Sequence, residues 1–161
     1  MVISGCGGFG FLVAARYRRE VRTVRILQQI VEYMICELQY SLTELPDLFN
    51  QIAKQYSGVV TRLFRDLRRE LDWQQCPDIP GCMYAAIRKN SDLPPSARRI
   101  LRQMGRSLGQ FDLPGQIREL EALLDTCKRE ADLLESRGTQ QLKTYQTLGL
   151  CTGAALAILL L

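Results

Sequence analysis

A chain of 161 residues, 47% apolar and 24% charged, is about one domain long and can bury a core without disulfide or metal staples. It contains no histidine, so the commonest general base and metal ligand is missing, and a net charge of +4 is too mild to announce nucleic acid. Six prolines and the absence of any low-complexity tract argue against disorder.

The chain begins with "MVISGCGGFGFLVAA", residues 1–15, and closes with "TLGLCTGAALAILLL", residues 147–161, neither of which holds a charged side chain. Two apolar ends around a charged middle predict two membrane segments, 1–15 and 145–161, with a helical domain over 16–144 between them. At 1.5 Å per residue these segments reach only about 22–26 Å, short of a hydrocarbon core of about 30 Å, a mismatch that local bilayer thinning can absorb. A signal peptide carries its positive charge ahead of the apolar run. Here Arg16, Arg18, Arg19, Arg22 and Arg25 follow it. Those arginines, with Arg137 and Lys143 before the last segment, predict a cytoplasmic domain. The alternative is that both ends are core helices of a soluble protein. Gly149, Gly153 and Ala157 recur every four residues, a small-residue stripe that suits close helix packing within a membrane.

From Arg16 to about Ser41 no proline or glycine interrupts the chain, and Val24, Leu27, Val31, Met34 and Leu38 lay an apolar stripe along one helix face. Ile30 and Ile35 widen it. "LTELPD" ends this helix. A shorter one over Pro46–Tyr56 turns Leu48, Phe49, Ile52 and Tyr56 inward. After "SG" at 57–58, another runs to about Trp73 with Val60, Leu63, Phe64, Leu67 and Leu71 inward. "CPDIPGC" at 76–82 reads as a loop and "CMYAAIRK" as a brief helix after it. "SDLPP" opens the next helix, striped by Ile100, Leu101, Met104 and Leu108.

"GRSLGQFD", residues 105–112, then reads as a corner between helices. Gly109 suits a left-handed helix end, Asp112 an N-cap, and Pro114 the first turn that follows. A glycine such as Gly105 inside a helical pattern costs about 1 kcal/mol against alanine, so something should compensate. The last helix carries Leu113, Ile117, Leu120, Leu124, Cys127, Ala131 and Leu134 in 4-3 alternation, the seam expected between long antiparallel helices. No period-2 run suggests a strand. The expected fold is all-α, an antiparallel bundle of about five to six helices with apolar, membrane-inserted ends.

Candidate sites are few. The glycines of 105–112 follow a helix, with no strand before them and no lysine nearby, which argues against a phosphate loop. Cys6, Cys36, Cys76, Cys82, Cys127 and Cys151 show no metal or redox spacing. Cys36 and Cys127 fall on apolar helix faces; Cys76 and Cys82 share a loop and could pair only in an oxidising compartment. The carboxylate pairs Glu119/Glu121 and Glu130/Asp132 lie along helix sides, without the burial that tunes a general acid. Arg62, Arg65, Arg68 and Arg69, and Arg98, Arg99, Arg102 and Arg106, form two basic faces. Either could be solvated beside an anionic membrane, dock an acidic protein, or meet nucleic acid. No catalytic constellation and no cofactor site is visible.

"CELQYSLTELPDLFNQIA" at 36–53, with its acid, tyrosine and Thr-x-Leu-Pro, "GRSLGQFDLPGQ" at 105–116, with its Leu-Gly-x-x-Asp corner and downstream glutamine, and the closing "TYQTLGLCTGAALAILLL" resemble the stage III sporulation protein AB family of endospore-forming bacteria. The likeness runs nearly end to end, although Trp73 stands earlier than that pattern places a tryptophan. It implies a non-enzymatic, membrane-anchored component of the secretion-like channel between mother cell and forespore. The helical domain would be similar to the cytoplasmic domain of type II secretion and type IV pilus platform proteins. Its implied partners are other proteins of that complex, including the cytoplasmic ATPase, together with membrane lipid; homo-oligomer formation is left open and nucleic acid is not expected. Glu37, Tyr40, Pro46, Gly105, Arg106, Ser107, Leu108, Gly109, Asp112 and Gln116 are the residues expected to organise the corner or present a docking face. The competing function is a soluble basic helical regulator that binds nucleic acid.

Overall fold

A computed structural model describes the backbone of residues 3–41, 43–72, 78–108 and 112–160, and side chains within 15–138 and at 140 outside those gaps. Among the described residues the protein is all-α: α1 (Ile3–Cys36), a π-helical turn (Glu37–Ser41), α2 (Leu45–Gln55), α3 (Val59–Asp72), α4 (Ile79–Lys89), α5 (Pro95–Ser107) and α6 (Leu113–Leu160).

The two long helices α1 and α6 pack along each other. Tyr17 lies beside Gly138, and Arg25 forms an ion pair with Glu135 at 2.6 Å, so they run antiparallel. The expected stripe holds throughout: Val24, Leu27, Ile30, Val31, Met34, Ile35 and Leu38 are all buried. On α6 the expected seam is buried at Leu120, Cys127, Ala131 and Leu134. Ile117 and Leu124 are half-buried against the core, and Leu123, one position from Leu124, is the buried residue. Leu113 departs from expectation. It is 37% exposed, because a heptad position is covered only where a neighbour faces it, and the first turn of α6 overhangs the seam. Cys36 also departs from it. It stands two residues from both Met34 and Leu38, about 200° round the helix from each, and so faces solvent.

The short helices succeed one another in space, α2 on α3, α3 on α4, α4 on α5 and α5 on α6. Phe49 of α2 and Phe64 of α3 are wholly buried, with ring centroids 5.7 Å apart in a tilted pair. Gly58, at φ +94, makes the left-handed turn between those helices. Tyr56 and Leu71 are half-buried and pack against the core.

The segment "CPDIPGC" is a loop only in part. Helix α4 begins at Ile79, inside it, because proline is tolerated in a first helical turn and Pro80 sits there. The Asp78 carboxylate accepts a 3.0 Å hydrogen bond from the Gly81 N–H and closes the cap. Cys82 is therefore a fully buried helical residue rather than a loop thiol, while Cys76 lies outside the described residues.

Three polar contacts fix the short helices. Buried Glu70 of α3 pairs with Lys89 of α4. Asn90 donates to Asp66 at 2.9 Å and to the Ala86 carbonyl at 2.9 Å. Glu20 of α1 accepts from the Ser96 N–H at 3.2 Å and the Ser96 hydroxyl at 2.7 Å. Helix α5 starts Pro94–Pro95 and has no side-chain cap of its own, so α1 supplies the carboxylate its N-terminus lacks.

Candidate functional site

Because α1 and α6 are antiparallel, the bundle has two chemically distinct ends. At one, the π-helical turn that ends α1 touches α6. Glu37, in the π-turn, accepts a 2.8 Å hydrogen bond from the Thr43 hydroxyl and so ties the turn to the chain entering α2. Tyr33, one turn earlier, donates to Gln51 of α2. Burial pushes the Tyr33 hydroxyl above its ordinary range, and the Glu37 carboxylate beside it adds to that rise. Tyr40, in the same turn, is 83% exposed. A π-turn carries more residues than an α-turn and re-aims the side chains around it, and such turns cluster at functional positions. Pro46, exposed in the first turn of α2, removes an N–H that has no helical partner there.

Across the corner, Gly105 answers the question its place in a helix raises. It is buried in α5, and a Cβ there would stand 2.8 Å from Met83 Cβ and 2.9 Å from Met83 Cγ. The missing side chain lets α5 approach α4 closely, and that packing offsets the intrinsic penalty. Leu108, the C-cap of α5, is fully buried and donates its N–H to the Met104 carbonyl. Ser107 is buried, and its hydroxyl returns to the Gln103 carbonyl at 3.2 Å. Arg106 is exposed. Asp112 is exposed as well; its carbonyl accepts from the Gln116 N–H at 2.9 Å, which makes it the residue that starts α6. Gln116 is half-buried. Gly109 lies outside the described residues, as do the side chains of the Gly149, Gly153 and Ala157 stripe. The corner is thus a buried scaffold (Gly105, Ser107, Leu108) with an exposed rim of Arg106, Asp112 and Leu113, while Tyr40 is exposed on the π-turn.

At the other end, the lower part of α1 meets the head of α5. Arg16, Arg19, Glu20, Asp92, Pro94 and Arg98 are among the residues lining an open cleft of about 390 Å³ there. Arg19 donates to the Asp92 carbonyl at 3.4 Å and Arg98 to the Ser91 carbonyl. Sequence patterning alone places Arg98 with Arg99, Arg102 and Arg106 on one basic face. The helix separates them, since Arg98 lines the cleft while Arg99 pairs with Glu130 of α6 at 3.5 Å. The signal for the cleft lay in "SDLPPS", a helix start with no acidic cap of its own. On α3 the basic face is partly neutralised within the helix, Arg68 by Asp72 at 3.6 Å and Arg69 by Asp66 at 3.5 Å.

Among the described residues no group of His, Cys, Asp and Glu side chains could hold a metal ion. Cys127, buried in the α6 seam, has its thiol pushed up to about 12, chiefly by burial and further by Glu130, which makes it a poor nucleophile.

The whole chain, residues 1–161, matches the family described as Stage III sporulation protein AB. The chain belongs to that family. Stage III sporulation protein AB of Bacillus subtilis (strain 168) is 28% identical over 156 residues, 94% of this chain and 90% of that protein. A solved structure of stage III sporulation protein AB superposes with a TM-score of 0.67 at 24% identity, covering 75% of this chain and 97% of that one, a likeness of fold. Family membership gives this protein a role in sporulation.

Proposed function

We propose that this member of the stage III sporulation protein AB family is a non-enzymatic, membrane-anchored component of the channel between mother cell and forespore. Its helical domain lies in the mother-cell cytoplasm and docks other channel proteins, the ATPase included, through the corner rim. One observation carries this reading. The antiparallel pairing of α1 with α6 sends the uncharged segments 1–15 and 145–161 away from the same end of the bundle, opposite the corner. Two anchors leaving one end hold the other end out for partners. The arginines that follow the first segment set the cytoplasmic side. Among the described residues no helix is long and apolar enough to cross a membrane.

Alkaline carbonate extraction of sporulating-cell membranes tests the anchoring. The full chain should stay in the pellet, and its release into the supernatant would overturn the proposal. Exposed Cys36 reports the side of the membrane. An impermeant maleimide should label it only after lysis, and labelling in intact cells would reverse the orientation.

A further inference from the structure

The cleft at the head of α5 has a composition that the docking role does not use. Its cations are all arginines, Arg16 and Arg19 from two turns of α1 and Arg98 from the first turns of α5. Two carboxylates share the lining, Glu20 and Asp92, so the side chains sum to one positive charge. Glu20 is already engaged by the Ser96 N–H and hydroxyl. Arg98 Nε is buried with no hydrogen-bond partner among the described residues, although the same guanidinium donates to the Ser91 carbonyl. A buried charged donor left without an acceptor costs free energy that an incoming anion would recover. Guanidinium groups match phosphate oxygens in forked pairs, and arginine fits that geometry where lysine acts as a point charge.

Position narrows the anion further. Arg16 directly follows the uncharged segment 1–15, and Tyr17 packs beside Gly138 where α6 heads toward its own uncharged segment. The cleft therefore opens at the level where both terminal segments leave the bundle. We propose that it seats the phosphate of an anionic phospholipid headgroup, of the phosphatidylglycerol type, and thereby fixes the domain's height and tilt on the bilayer. The inference rests on the membrane-anchored reading for the source of its ligand.

The test uses the full chain in neutral detergent, with helix melting followed by circular dichroism. Dihexanoyl phosphatidylglycerol at millimolar concentration should raise the midpoint by about 3 °C, whereas dihexanoyl phosphatidylcholine and inorganic phosphate should leave it in place. The exposed pair Arg16→Gln/Arg19→Gln, and separately Arg98→Gln, should each abolish the rise. Arg62→Gln/Arg65→Gln on α3 should keep it. An equal rise with inorganic phosphate would make this a soluble-anion site, and an equal loss in the α3 variant would reduce the effect to diffuse charge; either overturns the proposal, as does no rise at all. A rise with the lipid in a chain that carbonate releases would leave the headgroup site standing and the anchoring refuted. A pelleted chain with no rise would do the reverse.

Discussion

The α1–α6 pair and the block of short helices α2–α5 are held together by different means. The long pair is joined by an apolar seam from Val24 to Leu38 and from Leu120 to Leu134, with the exposed ion pair Arg25–Glu135 beside it. The short helices bury apolar residues too, yet their relative placement depends on single polar or steric keys. These are Glu70 with Lys89, Asn90 with Asp66, Glu20 with Ser96, and the missing side chain of Gly105 against Met83. A seam spreads its energy over many small contacts and tolerates change at any one. A key concentrates it, so the short-helix block should be the more fragile half under point substitution.

That contrast can be broken by experiment. The largest effect is expected at the buried carboxylate of Glu70. Lys89→Met would leave it without its cation and cost about 2 kcal/mol in urea unfolding, below the range for a fully buried pair because Lys89 itself is half-exposed. Glu70→Gln in the same chain should recover part of that loss, and a strictly additive double mutant would remove Glu70–Lys89 from the set of keys. Next comes Gly105→Ala, where crowding against Met83 outweighs the helix-forming gain of alanine and leaves a net loss of about 1 kcal/mol. A more stable Gly105→Ala protein would mean that α4 and α5 can move apart freely. At the seam the response to test is confined to alkali. Cys127 has a folded pKa of about 12 against 9.0 for an ordinary thiol. The folded state therefore holds the proton more tightly, and stability that is complete below about pH 9 falls as pH rises toward 12. Cys127→Ala should flatten this alkaline limb, leaving the smaller decline due to Tyr33 and Tyr56, both pushed up by burial. An unchanged limb would show that the seam does not shield the thiol.

The same contrast explains what was legible in the sequence. Helix periodicity reports a seam, and apart from Cys36 it marked the inward faces of α1, α2, α3 and α5. Residue spacing says nothing about keys between helices. That Glu20 caps a helix 76 positions downstream, or that a glycine in α5 makes room for a methionine in α4, depends on the fold having formed. The start of α4 was hidden by its prolines, which read as loop markers although a first helical turn accepts them. The corner was legible as a break between helices from Asp112, which starts α6. Tyr40, however, gave no sign that the π-turn would direct it to solvent while Glu37 turned to Thr43.

Helix α5 joins the two ends of this molecule. Its 13 residues form a strut of about 20 Å, clasped at the head by Glu20 and wedged at the foot by Leu108 and the tight fit of Gly105 on Met83. A strut fixed at both extremities converts a small displacement at one into a tilt at the other. Whatever grips the arginines at its head therefore also sets the angle at which Arg106 is offered at its foot.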